Sequence, residues 1–139
     1  NVLEEFGNDV SILNQLKEKL DQDFWKQNYL FPEYLNRNEN GEELHQKYLK
    51  QVLSDNVIKG EVSYLKIENI LLFNYHEVDK NNTFTNVFHV VDLLKNKILL
   101  KETLDKNLAS LMPESFFVKD NFLFLIVDKT KLLVYQIKK

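Results

Sequence analysis

Phe122-Leu123-Phe124-Leu125-Ile126-Val127 is followed by Asp128-Lys129-Thr130-Lys131 and then by Leu132-Leu133-Val134-Tyr135-Gln136-Ile137. Two six-residue runs rich in aromatic and β-branched side chains, separated by a short polar turn, are the signature of a β-hairpin rather than a helix. The first run shows no polar alternation, so both of its faces must be covered, as in a central strand.

The same form occurs upstream. Asn86 to Val91 runs into Asp92-Leu93-Leu94-Lys95-Asn96 and returns as Lys97 to Thr103. Before it, Val62 to Ile67 and Ile70 to Val78 are strand-like and are split by Glu68-Asn69, with Asp79 to Thr83 as the next turn. Ser115 to Lys119 adds one more strand ahead of a turn at Asp120-Asn121. Strand, short turn, strand, repeated, predicts an antiparallel meander. The fold class expected is α+β: N-terminal helices packed on an antiparallel β-meander, with 1–56 mainly helical, 57–139 the meander, and the whole a single domain.

Val87 to Leu100 and Phe124 to Ile137 share one pattern of apolar strand, Asp, Lys-bearing turn and apolar strand, at a spacing near the blade period of a β-propeller. The segment VFHVVDLLKNKILLKETL at 87–104 resembles the strand units of WD and PQQ-like propeller blades. The succession FPEYL (31–35), HQKYLKQVL (45–53), VSYLKIENILLFNYHEV (62–78) and ESFFVKDNFLFLIVDKTKLLVYQI (114–137) is similar to the C-terminal part of an uncharacterised bacterial family with such repeats. That resemblance implies one to two propeller blades and a binding or structural role, and it brings no catalytic residues with it. A closed propeller needs at least four blades of four strands. With 139 residues, the expectation is therefore a piece of something longer, or strands that close differently.

Composition narrows the function classes. The chain is 44% hydrophobic and 12% aromatic, enough for a real core. Its net charge is -3 and Arg37 is its only arginine, which disfavours nucleic acid, held by clustered basic residues and bidentate guanidinium contacts. There are no cysteines, so disulfides, thiol nucleophiles and Cys-type zinc sites are excluded. No apolar run approaches the roughly twenty residues of a membrane-spanning helix. The chain opens on Asn1 with no signal-peptide pattern, as a processed or partial chain would. The compartment stays open on these grounds, with the cytoplasm as the working expectation.

In the N-terminal third, Val10, Leu13, Leu16 and Leu20 recur at helical spacing behind Asn8 and Asp9, predicting a first helix over about 9–22. Asn36 to Gly41 is turn-like, and Glu42 to Ser54 predicts a second helix with Asn40 and Glu43 as a capping pair and Leu44, Tyr48, Leu49, Val52 and Leu53 as its buried stripe. Between the helices, Phe24, Trp25, Tyr29, Phe31 and Tyr34 crowd around Pro32. They either seal helix against sheet or form an aromatic partner anchor. No Pro/Gly/Ser linker parts helices from strands.

Chemistry-bearing residues are few. His76, Glu77 and His89 lie on neighbouring strands, where two imidazoles and a carboxylate would suit a metal if they converged. Ordinary satisfied histidines are the alternative, and no metal or cofactor is expected. Asp92 and Asp128 end matching strands, either as ligand carboxylates or as turn-setting side chains. Asn81-Asn82-Thr83 fits the glycosylation triplet, which arises by chance in an Asn-rich chain. Gly-rich phosphate loops and nucleophile elbows are absent from the sequence.

The function expected is a non-enzymatic binding or structural module whose partner is another protein, a second copy or the remainder of a longer chain. Trp25, Tyr29, Tyr34, Tyr75, His76 and His89 are the candidate contacts. Two alternatives stand beside it: a cone-shaped α+β fold of the nuclear-transport-factor type that binds a small molecule, and a small acidic inhibitor or immunity protein.

Overall fold

The computed structural model describes residues 3–5, 29–35, 43–55, 57–112 and 115–138. They form ten strands, all antiparallel, and one helix. The strands are β1 (Leu3–Glu5), β2 (Tyr29–Leu30), β3 (Glu33–Tyr34), β4 (Ile58–Ile67), β5 (Ile70–Val78), β6 (Phe84–Asp92), β7 (Lys97–Leu108), β8 (Phe116–Lys119), β9 (Phe122–Val127) and β10 (Lys131–Ile137); the helix is α1 (Leu44–Asp55). The fold is thus α+β and mostly antiparallel sheet. Contacts divide the chain into two compact units, one of Asn1–Phe31 with Glu114–Lys139 and the other of Pro32–Pro113. The predicted first helix, Trp25 and the turn at Asn36 to Gly41 lie outside the described residues.

In the unit Pro32–Pro113 the sheet order is β3-β4-β5-β6-β7, a plain meander. Its turns follow from the residues that make them. Glu68 takes a left-handed φ of 54° in the two-residue connection between Ile67 and Ile70. Asp79 accepts from the hydroxyls of Thr83 (3.3 Å) and Thr85 (2.8 Å), while its own amide bonds the Thr83 carbonyl, fixing the five-residue connection from β5 to β6. Asp92 accepts from the amides of Leu94 and Lys95, each at 3.1 Å, so its carboxylate sets the β6–β7 turn.

The helix starts where the sequence offers a cap. Glu43 precedes its first turn, and the Gln46 side chain accepts from the Glu43 amide at 3.2 Å, one half of a capping box. The cap thus sits three residues later than the Asn40 and Glu43 pair expected from sequence. Leu49, with Tyr48, Val52 and Leu53 around it, then packs on Val62, Leu71, Phe73, Tyr75, Val87 and Val91 of β4, β5 and β6. Side chains three and four apart share one helix face, and alternate strand residues share one sheet face; the two patterns meet here. β4 reaches four residues further upstream than its sequence pattern suggests, through Gly60 at φ +78° and a register irregularity between Lys59 and Ser63.

The other unit carries the C-terminal hairpins in the order β1-β10-β9-β8-β2. β9 lies between β8 and β10, and Leu123, Phe124 and Leu125 are all buried, so both faces of the unalternating run are covered. Phe117 stacks on Phe124 at 4.8 Å and 10°, with the Tyr29 and Phe31 rings about 6 Å from Phe117. Asp128 and Lys129 adopt φ of 50° and 63° in the β9–β10 turn. Asp128 shapes this turn through its backbone, and its exposed carboxylate lies 3.7 Å from the Lys131 ammonium.

The sequence reads as one uninterrupted meander, yet β7 and β8 belong to different sheets. The residues between them include Pro113, which cannot donate to a ladder.

Candidate functional site

Alternation along β5 and β6 sorts the polar residues of Pro32–Pro113 onto two faces. Phe73 pairs with His89 and Tyr75 with Val87 in the β5–β6 ladder, so Phe73, Tyr75, Glu77 and His89 share the face that α1 covers. His76 and Asn74 point the other way.

Under the helix, the Tyr75 hydroxyl lies 3.2 Å from His89 Nε2, and the Phe73 ring stacks on the imidazole at 4.9 Å and 22°. Tyr48 from α1 meets Phe73 edge-on at 5.9 Å. Tyr75 is 2% exposed and His89 6%. Burial pushes the Tyr75 hydroxyl up to about 12, helped by the charge of Glu77 and a hydrogen bond to it, and by Tyr48. Which of the Tyr75 hydroxyl and His89 Nε2 donates depends on the tautomer of the imidazole. Burial also lowers the imidazole of His89 to about 4, and the charge of Lys101, its register partner on β7, acts in the same direction. His89 Nδ1 has no hydrogen-bond partner among the described residues.

This arrangement makes stability acid-sensitive with a defined sign. The folded imidazole titrates near 4 and the unfolded one near 6.5, so the neutral form favours folding above pH 6.5 and the advantage is lost as pH falls through the folded value. After allowance for solvent screening the expected loss is about 2 to 3 kcal/mol. Urea unfolding at pH 7 and pH 4.5, run beside His89→Phe, checks it: the variant should lose less stability on acidification than the parent. Equal losses would show that His89 is not the group responsible.

On the opposite face a row of polar side chains crosses the sheet. The Ser63 hydroxyl bonds Asn74 Oδ1, and Asn74 Nδ2 donates to Asn86 Oδ1 at 3.0 Å; Asp105 lies across from Asn86 on β7. Asn74, Asn86 and Asp105 are buried. His76, two residues along β5, accepts from the Met112 amide through Nε2 at 3.0 Å, and burial lowers its imidazole.

Of the residues singled out from sequence, Tyr75 and His89 come together. His76 lies on the other face of the sheet, so the two imidazoles cannot share a metal with Glu77. Tyr34 is 56% exposed on the short edge strand β3. Tyr29 belongs to the other unit, pairs with Lys119 in the β2–β8 ladder and lies with its ring 5.2 Å from that residue's ammonium. Ser63, Asn74, Asn86 and Lys101 were not anticipated. The signal available was a polar residue interrupting each apolar run, but only register shows that these interruptions meet.

Comparison with protein-family models, with curated proteins and with solved structures found no match to this chain. No described helix is long and apolar enough to cross a membrane.

Proposed function

We propose that the protein is a non-enzymatic binding or structural module that engages its partner by strand addition along β7. One observation carries this reading: β7 is twelve residues long and is the last strand of its sheet, with no strand beyond it among the described residues. Outward backbone groups on such an edge are a template for another strand. The edge is also selective. Register shifts fall on both sides of the pairing of Leu100, Lys101, Glu102 and Thr103, and Lys97, Lys101 and Lys106 are exposed along it. Bulges and lysines reject arbitrary strands by twisting the edge and by charge. They leave a short regular stretch suited to an extended segment bearing carboxylates.

Amide exchange combined with light scattering tests the proposal. Those β7 amides not bonded to β6 should exchange within minutes in dilute protein and become protected when a second copy or another protein joins the edge. If they are already protected in dilute monomer, the chain covers its own edge and the reading fails.

The second reading, a small-molecule binder, draws on the partnerless Nδ1 of His89 inside an aromatic setting of Tyr48, Phe73 and Tyr75. A bound polar molecule would hydrogen-bond that nitrogen. Its test is the His89 ring signal in NMR during fragment addition; a ring unmoved by any fragment removes the support.

A further inference from the structure

After β7 the chain turns back over its own sheet. Leu111 Cδ1 occupies the place where a Cβ on Gly60 would stand, so the glycine is a seat for that leucine. One residue on, the Met112 amide donates to His76 Nε2 at 3.0 Å. These are contacts of a different kind from ladder pairing: one plug into a glycine gap, and one backbone amide held by a titratable side chain. Leu111 is 38% exposed and His76 only 4%, so the plug is shallow and the imidazole deep.

We propose that residues 109–112 form an acid-released strap, docked on β4 and β5 by Leu111 over Gly60 and by the His76 imidazole as acceptor, and freed when that imidazole takes a second proton. The chemistry follows from the ring. A neutral imidazole accepting at Nε2 carries its single hydrogen on Nδ1. Protonation at Nε2 puts an N–H against the Met112 N–H, turning an attraction into a repulsion. Few charges face the ring. On β4 the register partner of His76 is Lys59, whose side chain is exposed. On β6 the residue opposite is Asn86, and beyond it on β7 Asp105 is the buried carboxylate of this face. The neighbours Asn74 and Val78 on β5, and Ala109, Ser110, Leu111 and Met112 in the strap, carry no charge. Burial lowers the imidazole below its ordinary value, which keeps the strap docked near neutrality. Release would free residues 109–112, which follow the end of β7 at Leu108, without breaking any strand pairing.

The direct readout is the NMR protection factor of the Met112 amide, corrected for intrinsic exchange, at pH 7.5 and pH 5.0, with the Phe88 amide of β6 as a reporter of global opening. Protection of Met112 is expected to fall at least tenfold on acidification while Phe88 stays protected. His76→Gln supplies an acceptor oxygen that does not titrate, and its Met112 protection should be independent of pH. Leu111→Ala, which empties the seat on Gly60, should lower Met112 protection at both pH values. A Met112 protection factor that does not change with pH in the parent protein would overturn the proposal. So would an equal fall in His76→Gln, or a loss at Phe88 that matches the loss at Met112, since the opening would then be global.

Discussion

Phe124→Ala is expected to destabilise the protein by about 3 to 5 kcal/mol, the largest single effect anticipated. The ring is 2% exposed on the central strand β9 and stacks in near-parallel contact with Phe117. Removing it deletes an aromatic side chain from a site bounded by β8 and β10, where strand pairing on both sides prevents collapse into the gap. Phe117→Ala should cost less, because its ring is only half-buried. Thermal and urea melts of the two variants check both size and order. A shift of only a degree or two for Phe124→Ala would show that the ring is not core. Because contacts group into two units, the same melts carry a second result. If the single domain expected from sequence is correct, both units lose structure in one transition; two transitions would separate them.

Asn74→Ala follows, with an expected cost of about 2 to 4 kcal/mol. Asn74 is the middle of the row of Ser63, Asn74 and Asn86, accepting from the half-buried Ser63 hydroxyl and donating to the buried Asn86. Alanine leaves the Ser63 hydroxyl and the buried Asn86 amide oxygen without those bonds. The loss should be non-additive: Ser63→Ala or Asn86→Ala made on top of Asn74→Ala should cost less than when made alone. Denaturant unfolding of the single and double variants measures this. Strict additivity would mean that the three side chains do not act as one chain of bonds. A row of this kind also specifies register, since slipping β5 by one residue would turn Asn74 to the helix face and Phe73 away from it.

The strands from Ile70 onward were legible because period two, apolar runs and turn residues all point the same way. Glu68-Asn69, Asp92 to Asn96 and Asp120-Asn121 mark turns without any knowledge of neighbours. What the residues could not reveal depends on long-range placement. Asp105 to Pro113 reads as no element, although β7 runs on to Leu108, and nothing local in it reports that the chain changes sheets before β8. Gly60 looks like an entry to a strand; it lies inside β4, and the neighbour against its missing Cβ is Leu111, fifty-one positions later. Tyr75 and His89 were picked for their chemistry, but their union needs the β5–β6 register. The Asn74 row was missed because an asparagine within ILLFNYHEV has the appearance of a blemish in a strand. Propeller-like repetition was legible as pattern alone, and the observed strand order is that of two separate antiparallel sheets.

One pairing has a bearing on how the protein is made. Leu3 lies opposite Ile137 in the β1–β10 ladder, and β2 joins β8, so the unit that contains them is woven from both ends of the sequence. Every strand of the other sheet lies between Pro32 and Pro113. During synthesis the sheet within Pro32–Pro113 can therefore assemble while the ribosome is still adding residues, whereas the pairing of β1 with β10 must wait for Ile137 to emerge and must close a loop of nearly the whole described length.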